Sequence, residues 1–166
     1  EMRRSGGVLV VFDVDSFKQI NDRYGHLSGD VMLSNIAEIL SRQFREKDII
    51  GRLGGDEFVV FMRDIRGHEV VRNKAQELLT AFDGVLGQEQ GELKLSCSVG
   101  VAFYPQDGMD FLTLYQNADI ALYYAKTQGK GDCAFFNPAI SQRLLAAPGG
   151  QLRAVGEKID SETAPH

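Results

Sequence analysis

Only two cysteines, Cys97 and Cys133, occur in 166 residues. They are too few for a disulfide framework and match no metal-ligand spacing, so a reducing, cytoplasmic setting is expected. No stretch approaches the about 18 uninterrupted apolar residues of a membrane span, and no signal peptide opens the chain. Membrane contact is therefore not expected. A basic excess is missing as well: 18 Lys and Arg stand against 23 Asp and Glu, a net charge of −5. That argues against a sequence-independent nucleic-acid surface and leaves nucleic acid out as a partner. A small anionic ligand stays open, because a few lysines and a metal reverse the sign locally. There are three histidines, and His26 stands in no ligand or base pattern, so it reads as structural. What remains is a chain of about one domain, which buries roughly 70% of its unfolded surface without staples.

The apolar pattern divides this domain into elements. VLVVF at 8–12 is a continuous apolar run ending in Asp13-Val14-Asp15, which predicts a central strand delivering acids at its C-terminal end. A short helix is predicted over 17–24. From Ser28, taken as an N-cap, apolar residues fall at Met32, Leu33, Ile36, Ala37, Ile39, Leu40 and Phe44, a helical stripe. Residues 49–53 and 58–62 form two strands around GGDE, hence a hairpin. A helix over 69–86 carries Val71, Ala75, Leu78, Leu79 and Phe82 on one face. Leu93, Leu95, Cys97, Val99, Val101 and Phe103 alternate as a half-buried strand. After a turn at 105–108, a helix over 110–127 carries Leu114, Tyr115, Ala118, Leu122 and Ala125, and a last strand covers 133–136. From Asn137, Pro138, Pro148 and the Gly149-Gly150 pair predict a tail or linker, which sets the domain at 1–136 and the tail at 137–166. This order makes an α+β sandwich, with helices on one face of a mostly antiparallel sheet, as in ferredoxin-like and polymerase-palm folds.

The stretch RLGGDEFVVF at 52–61 carries the chemistry. Two glycines ahead of an apolar run predict a tight turn, because glycine takes positive φ without steric cost. A turn does not need two adjacent acids. Asp56 and Glu57 repel unless solvated or holding something positive. The topology brings the first strand beside the hairpin, and so Asp13 close to Asp56. With a backbone carbonyl such as that of Val14, these acids make a set of hard oxygen ligands suited to Mg²⁺, completed by substrate phosphates and water. Taken singly, DVD and DE are also ordinary acidic strand ends. Gly54 and Gly55 let backbone N–H groups approach phosphate oxygens.

Asp13-Val14-Asp15-Ser-Phe17-Lys18-Gln-Ile-Asn21-Asp22-Arg-Tyr-Gly25-His26-Leu-Ser-Gly29-Asp30, then Arg52-Leu-Gly54-Gly55-Asp56-Glu57-Phe58, then Ala118-Asp119, Ala121-Leu122-Tyr123 and Ala125-Lys126, together resemble the GGDEF family of diguanylate cyclases. The resemblance runs over residues 8–136. It implies an α+β GGDEF fold, an antiparallel-rich central sheet with helices packed around it, that condenses two GTP into cyclic di-GMP and two pyrophosphates. It implies that Asp13, the carbonyl of Val14 and Asp56 hold divalent ions, Mg²⁺ or Mn²⁺. Glu57 matches a residue that binds metal or assists deprotonation of the attacking 3′-hydroxyl. Asn21 and Asp30 match guanine readers, although Asp30 also suits the start of a helix. Phe17 and Lys18 match positions whose N–H groups meet terminal phosphates, and Phe17 also suits the core. Lys126 matches a lysine on the γ-phosphate and is otherwise a helix-end lysine. Lys130 stands where many members have arginine, keeping charge without the bidentate fork.

The family's opening segment, with its Thr-Gly-Leu and Asn-Arg-Arg blocks, does not precede Glu1, so the domain is expected to be truncated there. Arg45 and Asp48 form an R-x-x-D at the spacing of the family's product-inhibition site, or simply a cation at a helix end. Because each domain offers one GTP site and the product needs two, the expected partner is a second copy, held transiently in C2 symmetry. A receptor for GTP or cyclic di-GMP without catalysis is the other function the resemblance allows.

Overall fold

The computed structural model describes residues 6–86, 96–128 and 132–146. Its centre is β1 (Gly7–Val14), all eight of whose residues are buried. The apolar run has no residue to spare for solvent, so both faces of the strand must be covered. Val8, Val10, Phe12 and Val14 point into one core with residues of the helices α1 (Phe17–Tyr24), α2 (His26–Gln43) and α3 (His68–Leu86). Leu9 and Val11 point the other way, into a second core with Leu114, Tyr115, Ala118 and Leu122 of the helix α4 (Phe111–Thr127). The helices therefore pack on both faces, not on one as the element order had suggested. Each fully buried Val, Leu or Phe of this strand contributes on the order of 1.5–3 kcal/mol over an exposed one.

Beside β1 lie β3 (Glu57–Arg63) and, outside it, β2 (Ile49–Gly54); on the other side lie β4 (Cys97–Tyr104) and β5 (Cys133–Phe135). The order is β2-β3-β1-β4-β5, antiparallel throughout except for the parallel β4–β5 pair. This is the antiparallel-rich α+β sheet expected. Leu93 and Leu95, read as the start of the fourth strand, lie outside the described residues.

Gly100 fixes the height of α4 above the sheet. A Cβ there would lie 2.1 Å from the Ala118 carbonyl oxygen and 2.4 Å from the Leu122 nitrogen. Only a glycine lets helix backbone approach strand backbone this closely, and the buried alanines Ala118, Ala121 and Ala125 keep the same face narrow. Asp110 caps the start of α4, accepting from the Thr113 N–H at 2.9 Å.

Two local expectations need correction. Ser28 is not the N-cap of α2: the helix begins at His26 after Gly25, whose φ of 88° suits glycine, and the Ser28 hydroxyl donates to the Tyr24 carbonyl at 3.2 Å. His26, read as structural, is exposed at the first position of that helix. The predicted linker from Asn137 begins instead with a helix, α5 (Pro138–Ala146), with Ile140 and Leu144 buried. Asn137 accepts from the Ile140 N–H through Oδ1 at 3.2 Å. Proline at the first helical position costs no hydrogen bond, so what looked like a breaker is a starter.

Candidate active site

The register places Asp13 directly opposite Glu57. By alternation both side chains share the face of Leu9, Val11 and Val59, the face that α4 covers. Asp13 and Glu57 are buried, at 7% and 4% exposure. Helix α4 answers each of them. Lys126 Nζ lies 2.5 Å from Asp13 Oδ1, and the Tyr115 hydroxyl donates to Glu57 Oε1. Burial pushes the Asp13 carboxyl up from 3.8 to about 6; Lys126 opposes this, and the charges of Asp56 and Glu57 add to it. Desolvation thus outweighs Lys126 here, and the neighbouring acids add the smallest part.

The hairpin turn that carries Asp56 depends on its glycines, with φ of 129° at Gly54 and 51° at Gly55. The Arg52 guanidinium ties the turn down, donating to the Gly55 carbonyl from Nε at 2.9 Å and Nη2 at 2.7 Å. A third buried carboxylate secures the other wall. Asp15, 2% exposed, accepts from the hydroxyls of Ser96 at 2.5 Å and Ser98 at 2.8 Å. That anchors the connection from β1, which ends at Val14, to α1.

The donors present at this edge are carboxylate oxygens, which suit a hard cation such as Mg²⁺. Among the described residues no three His, Cys, Asp or Glu side chains enclose a metal by themselves.

Around this edge lie the residues expected to bind nucleotide. Ser16, in the left-handed region at φ 62°, starts α1 without a side-chain cap, so the leading N–H groups at Phe17 and Lys18 have no capping side chain. The Phe17 ring packs partly against the core, and Lys18 is exposed. Asn21 Oδ1 is buried with no hydrogen-bond partner, wedged against Gly29, where a Cβ would lie 2.0 Å away. Next to Gly29, the exposed Asp30 borders a groove of about 430 Å³ lined also by Leu33, Ser34, Arg52 and Phe58. Lys126 is not a free helix-end lysine, since it sits on Asp13. Lys130 lies outside the described residues.

Arg45 and Asp48 lie at a different corner, beyond the end of α2. Asp48 accepts from the Arg45 N–H at 3.0 Å and from Arg45 Nη2 at 3.2 Å, while Nη2 also donates to the Arg63 carbonyl at 3.0 Å. A groove of about 390 Å³ opens beside them, bordered on the α3 side by Asn73, Lys74 and Glu77. Arg72 turns away: its guanidinium lies 5.2 Å from the centroid of the Phe135 ring. The cation that α3 brings to this groove is Lys74.

Tyr115, Ser96, Ser98 and the bracing role of Arg52 were not foreseen. For Tyr115 the signal was a hydroxyl on an inward helix stripe otherwise made of Leu and Ala, which a buried tyrosine rarely leaves without a partner. For Ser98 it was a polar residue in a central strand.

Comparison with known proteins bears on the chain as a whole. The family model described as diguanylate cyclase, GGDEF domain, matches residues 1–132. The chain is 37% identical over 133 residues to the bifunctional diguanylate cyclase/cyclic di-GMP phosphodiesterase MucR of Pseudomonas aeruginosa, covering 80% of this chain and 19% of that protein. It is 34% identical over 164 residues to the diguanylate cyclase TpbB of the same species, covering 98% of this chain and 35% of that one. The chain thus spans about a fifth of the length of MucR and about a third of that of TpbB. A solved structure of the TpbB GGDEF domain alone superposes with a TM-score of 0.75 at 31% identity, over 85% of this chain and 83% of that one. The GGDEF domain of DgcB from Caulobacter crescentus, solved in complex with cyclic di-GMP, gives a TM-score of 0.68 at 25% identity, over 79% and 78%.

Proposed function

This chain belongs to the GGDEF family of diguanylate cyclase domains, and from that premise we propose that it condenses two GTP into cyclic di-GMP and two pyrophosphates. The observation that carries this reading is the Asp13–Glu57 rung. Burial and like charge raise Asp13 to about 6 beside Asp56 and Glu57, so the edge calls for a cation that triphosphates can share. A divalent ion, Mg²⁺ or Mn²⁺, held by Asp13, the Val14 carbonyl and Asp56, would neutralise charge that develops on the phosphates.

The chain's own residues do the rest. The N–H groups of Gly54, Gly55, Phe17 and Lys18 cradle phosphate oxygens, because the start of α1 has no side-chain cap and glycines let the backbone of the turn approach a phosphate closely. Lys126 leaves Asp13 for the γ-phosphate as the nucleotide enters. Asp30 accepts from guanine N1–H and the exocyclic amine, and Asn21 Oδ1 takes a donor it does not have within the protein. Adenine has no N1–H, so the pair selects guanine. Glu57 would either bind the divalent ion or assist deprotonation of the attacking 3′-hydroxyl. Each domain holds one GTP, and so two copies meet face to face in C2 symmetry to bring each hydroxyl to the other's α-phosphorus.

Arg45 and Asp48 bind the product. The guanidinium can fork onto phosphate or a guanine edge, with Lys74 across the groove. Among the described residues no helix is long and apolar enough to cross a membrane, in keeping with a domain that works in the cytoplasm. Incubation of the purified protein with GTP and Mg²⁺ tests the reading. Cyclic di-GMP is the expected product; tight nucleotide binding with no product would assign the chain to the silent receptors.

A further inference from the structure

The glycine turn has a tie to which the cyclase reading gives no task. We propose that Arg52 is a positioning residue that joins the nucleotide groove to the acid edge: from the wall of the groove its guanidinium fork fixes the Gly55 peptide, and so fixes where Asp56 stands when nucleotide is bound. Its consequence for turnover presupposes the reading of the chain as a cyclase.

The turn is poorly held by its own backbone. Gly54 pairs with Glu57 across it, which leaves Gly55 and Asp56 as the loop, and the register shifts between Arg52 and Gly54. Both glycines take positive φ, a freedom that a side chain would have restricted. β2 is an outer strand of the sheet and largely exposed, so among the described residues no further strand steadies the turn. Arg52 supplies what is missing. Its Nε and Nη2 donate to the same Gly55 carbonyl oxygen, at 2.9 and 2.7 Å. A rigid planar fork on a single oxygen fixes direction as well as distance. Because a peptide group is planar and trans, setting the Gly55 carbonyl also sets the Asp56 N–H, which points to the opposite side. Asp56 lies between this peptide and Glu57, and Glu57 stands opposite Asp13.

The same side chain borders the groove of about 430 Å³ that Asp30, Leu33, Ser34 and Phe58 also line. In the free protein its two hydrogen bonds are exposed. A nucleotide seated in the groove covers the arm, and a hydrogen bond shielded from water is electrostatically stronger. The turn is thus held hardest when substrate is in place, which ties occupancy of the groove to the placement of the acid.

The experiment is steady-state kinetics of cyclic di-GMP formation from GTP and Mg²⁺ by the full chain, repeated over a range of protein concentrations. Arg52→Ala should lower kcat about tenfold or more, the size of a lost hydrogen bond from a charged group. KM should stay within about threefold, because Asp30 and Phe58 still wall the groove. Arg52→Lys keeps the charge without the fork and should regain only part of the rate. An unchanged kcat in Arg52→Ala overturns the proposal. So does a rise in KM alone, which makes Arg52 a binding residue, or full activity in Arg52→Lys, which makes it only a charge. A deficit that disappears at high protein concentration also overturns it, because Arg52 is then a contact between copies. If Arg52→Ala does not fold, Arg52→Lys decides: a lower kcat at unchanged KM supports the proposal and the wild-type kcat overturns it. If the wild type makes no cyclic di-GMP, the cyclase reading fails by itself. Amide nitrogen relaxation at Gly55 and Asp56, with a non-hydrolysable GTP analogue bound, then tests the tie alone. Lower order parameters in Arg52→Ala than in wild type support it, and equal ones overturn it.

Discussion

At the Asp13–Glu57 rung two buried carboxylates each take a partner from α4, with the charge of Asp56 beside them, whereas at the Arg45–Asp48 corner one carboxylate is surrounded by donors. The first corner raises the Asp13 carboxyl to about 6. In the second, the Asp48 side chain is only 2% exposed yet accepts from Arg45 and from the Arg63 N–H, while Arg45 itself stays 47% exposed. Surplus negative charge is stored in one place and a surplus cationic fork in the other. The difference teaches which corner is built against its own stability. Charge removal at the rung is expected to cost activity and favour the fold, and at the Arg45 corner to spare the reaction.

The sharpest way to break the comparison is at the rung itself. Asp56→Asn and Glu57→Gln should each lower cyclic di-GMP formation at least about a hundredfold, on the scale of losing a group that stabilises developing charge, with melting temperature unchanged within a few degrees. Chromatography of the nucleotide products checks the first and calorimetry the second. Normal output from either variant would leave the rung without a catalytic role.

Next in size is the frame that holds α4 over the rung. Gly100→Ala puts a methyl group into helix backbone at 2.1 Å, where no flexible side chain can give way. A loss of about 1–3 kcal/mol or more in unfolding free energy is expected, read from the denaturant midpoint. Turnover should fall with it, because Lys126 and Tyr115 ride on the displaced helix. A stable Gly100→Ala protein would mean that the helix can lift without consequence.

A third test uses the pH dependence of stability without added metal. Asp13 has a folded value of about 6 against 3.8 when unfolded, so its protonated form favours the folded state. That contribution is fully present below about 3.8 and is lost as pH rises through about 6. The unfolding free energy should therefore decline across this window, by on the order of 2 kcal/mol. Asp13→Asn should remove the decline and give a protein more stable than wild type at neutral pH, although inactive. Equal slopes for the two proteins would show that the rung stores no charge strain.

Much of this was legible in the sequence, because motif and periodicity agreed. VLVVF ending in acids, the glycine pair at 54–55 and the helical stripes gave the element order and brought Asp13 to the hairpin. The covering of both sheet faces was implicit in the same apolar run, but element order alone does not say on which face a helix lands. α5 escaped because Pro138 was weighed as a breaker without Asn137 before it. Tyr115 escaped because a helix stripe reports which residues point inward, not which polar atom waits at the end of each. The Asp15–Ser98 hydrogen bond joins residues 83 positions apart, a distance no local pattern spans.

The smallest expected effect lies at the Arg45 corner, and it decides whether that corner is a ligand site or a structural clasp. Arg45→Ala removes two of the donors to Asp48 through its side chain but leaves the backbone N–H groups of Arg45 and Arg63 in place. The cost in stability should therefore stay at about 1 kcal/mol or less, as for other exposed ion pairs. The initial rate should not change, since nothing from this corner touches the rung. Product inhibition should weaken, because a fork that donates to carboxylate in the free protein is the group that would turn to phosphate or guanine. Lys74→Ala separates the two roles further. Lys74 donates to the Gln43 carbonyl at the end of α2 and pairs with Glu77 at 3.7 Å, so it also helps join α2 to α3. If the groove binds cyclic di-GMP, both variants should lose affinity for it in calorimetry while only Lys74→Ala loses measurable stability. Unchanged affinity in Arg45→Ala and Asp48→Ala, with inhibition intact, would make the corner a clasp and nothing more.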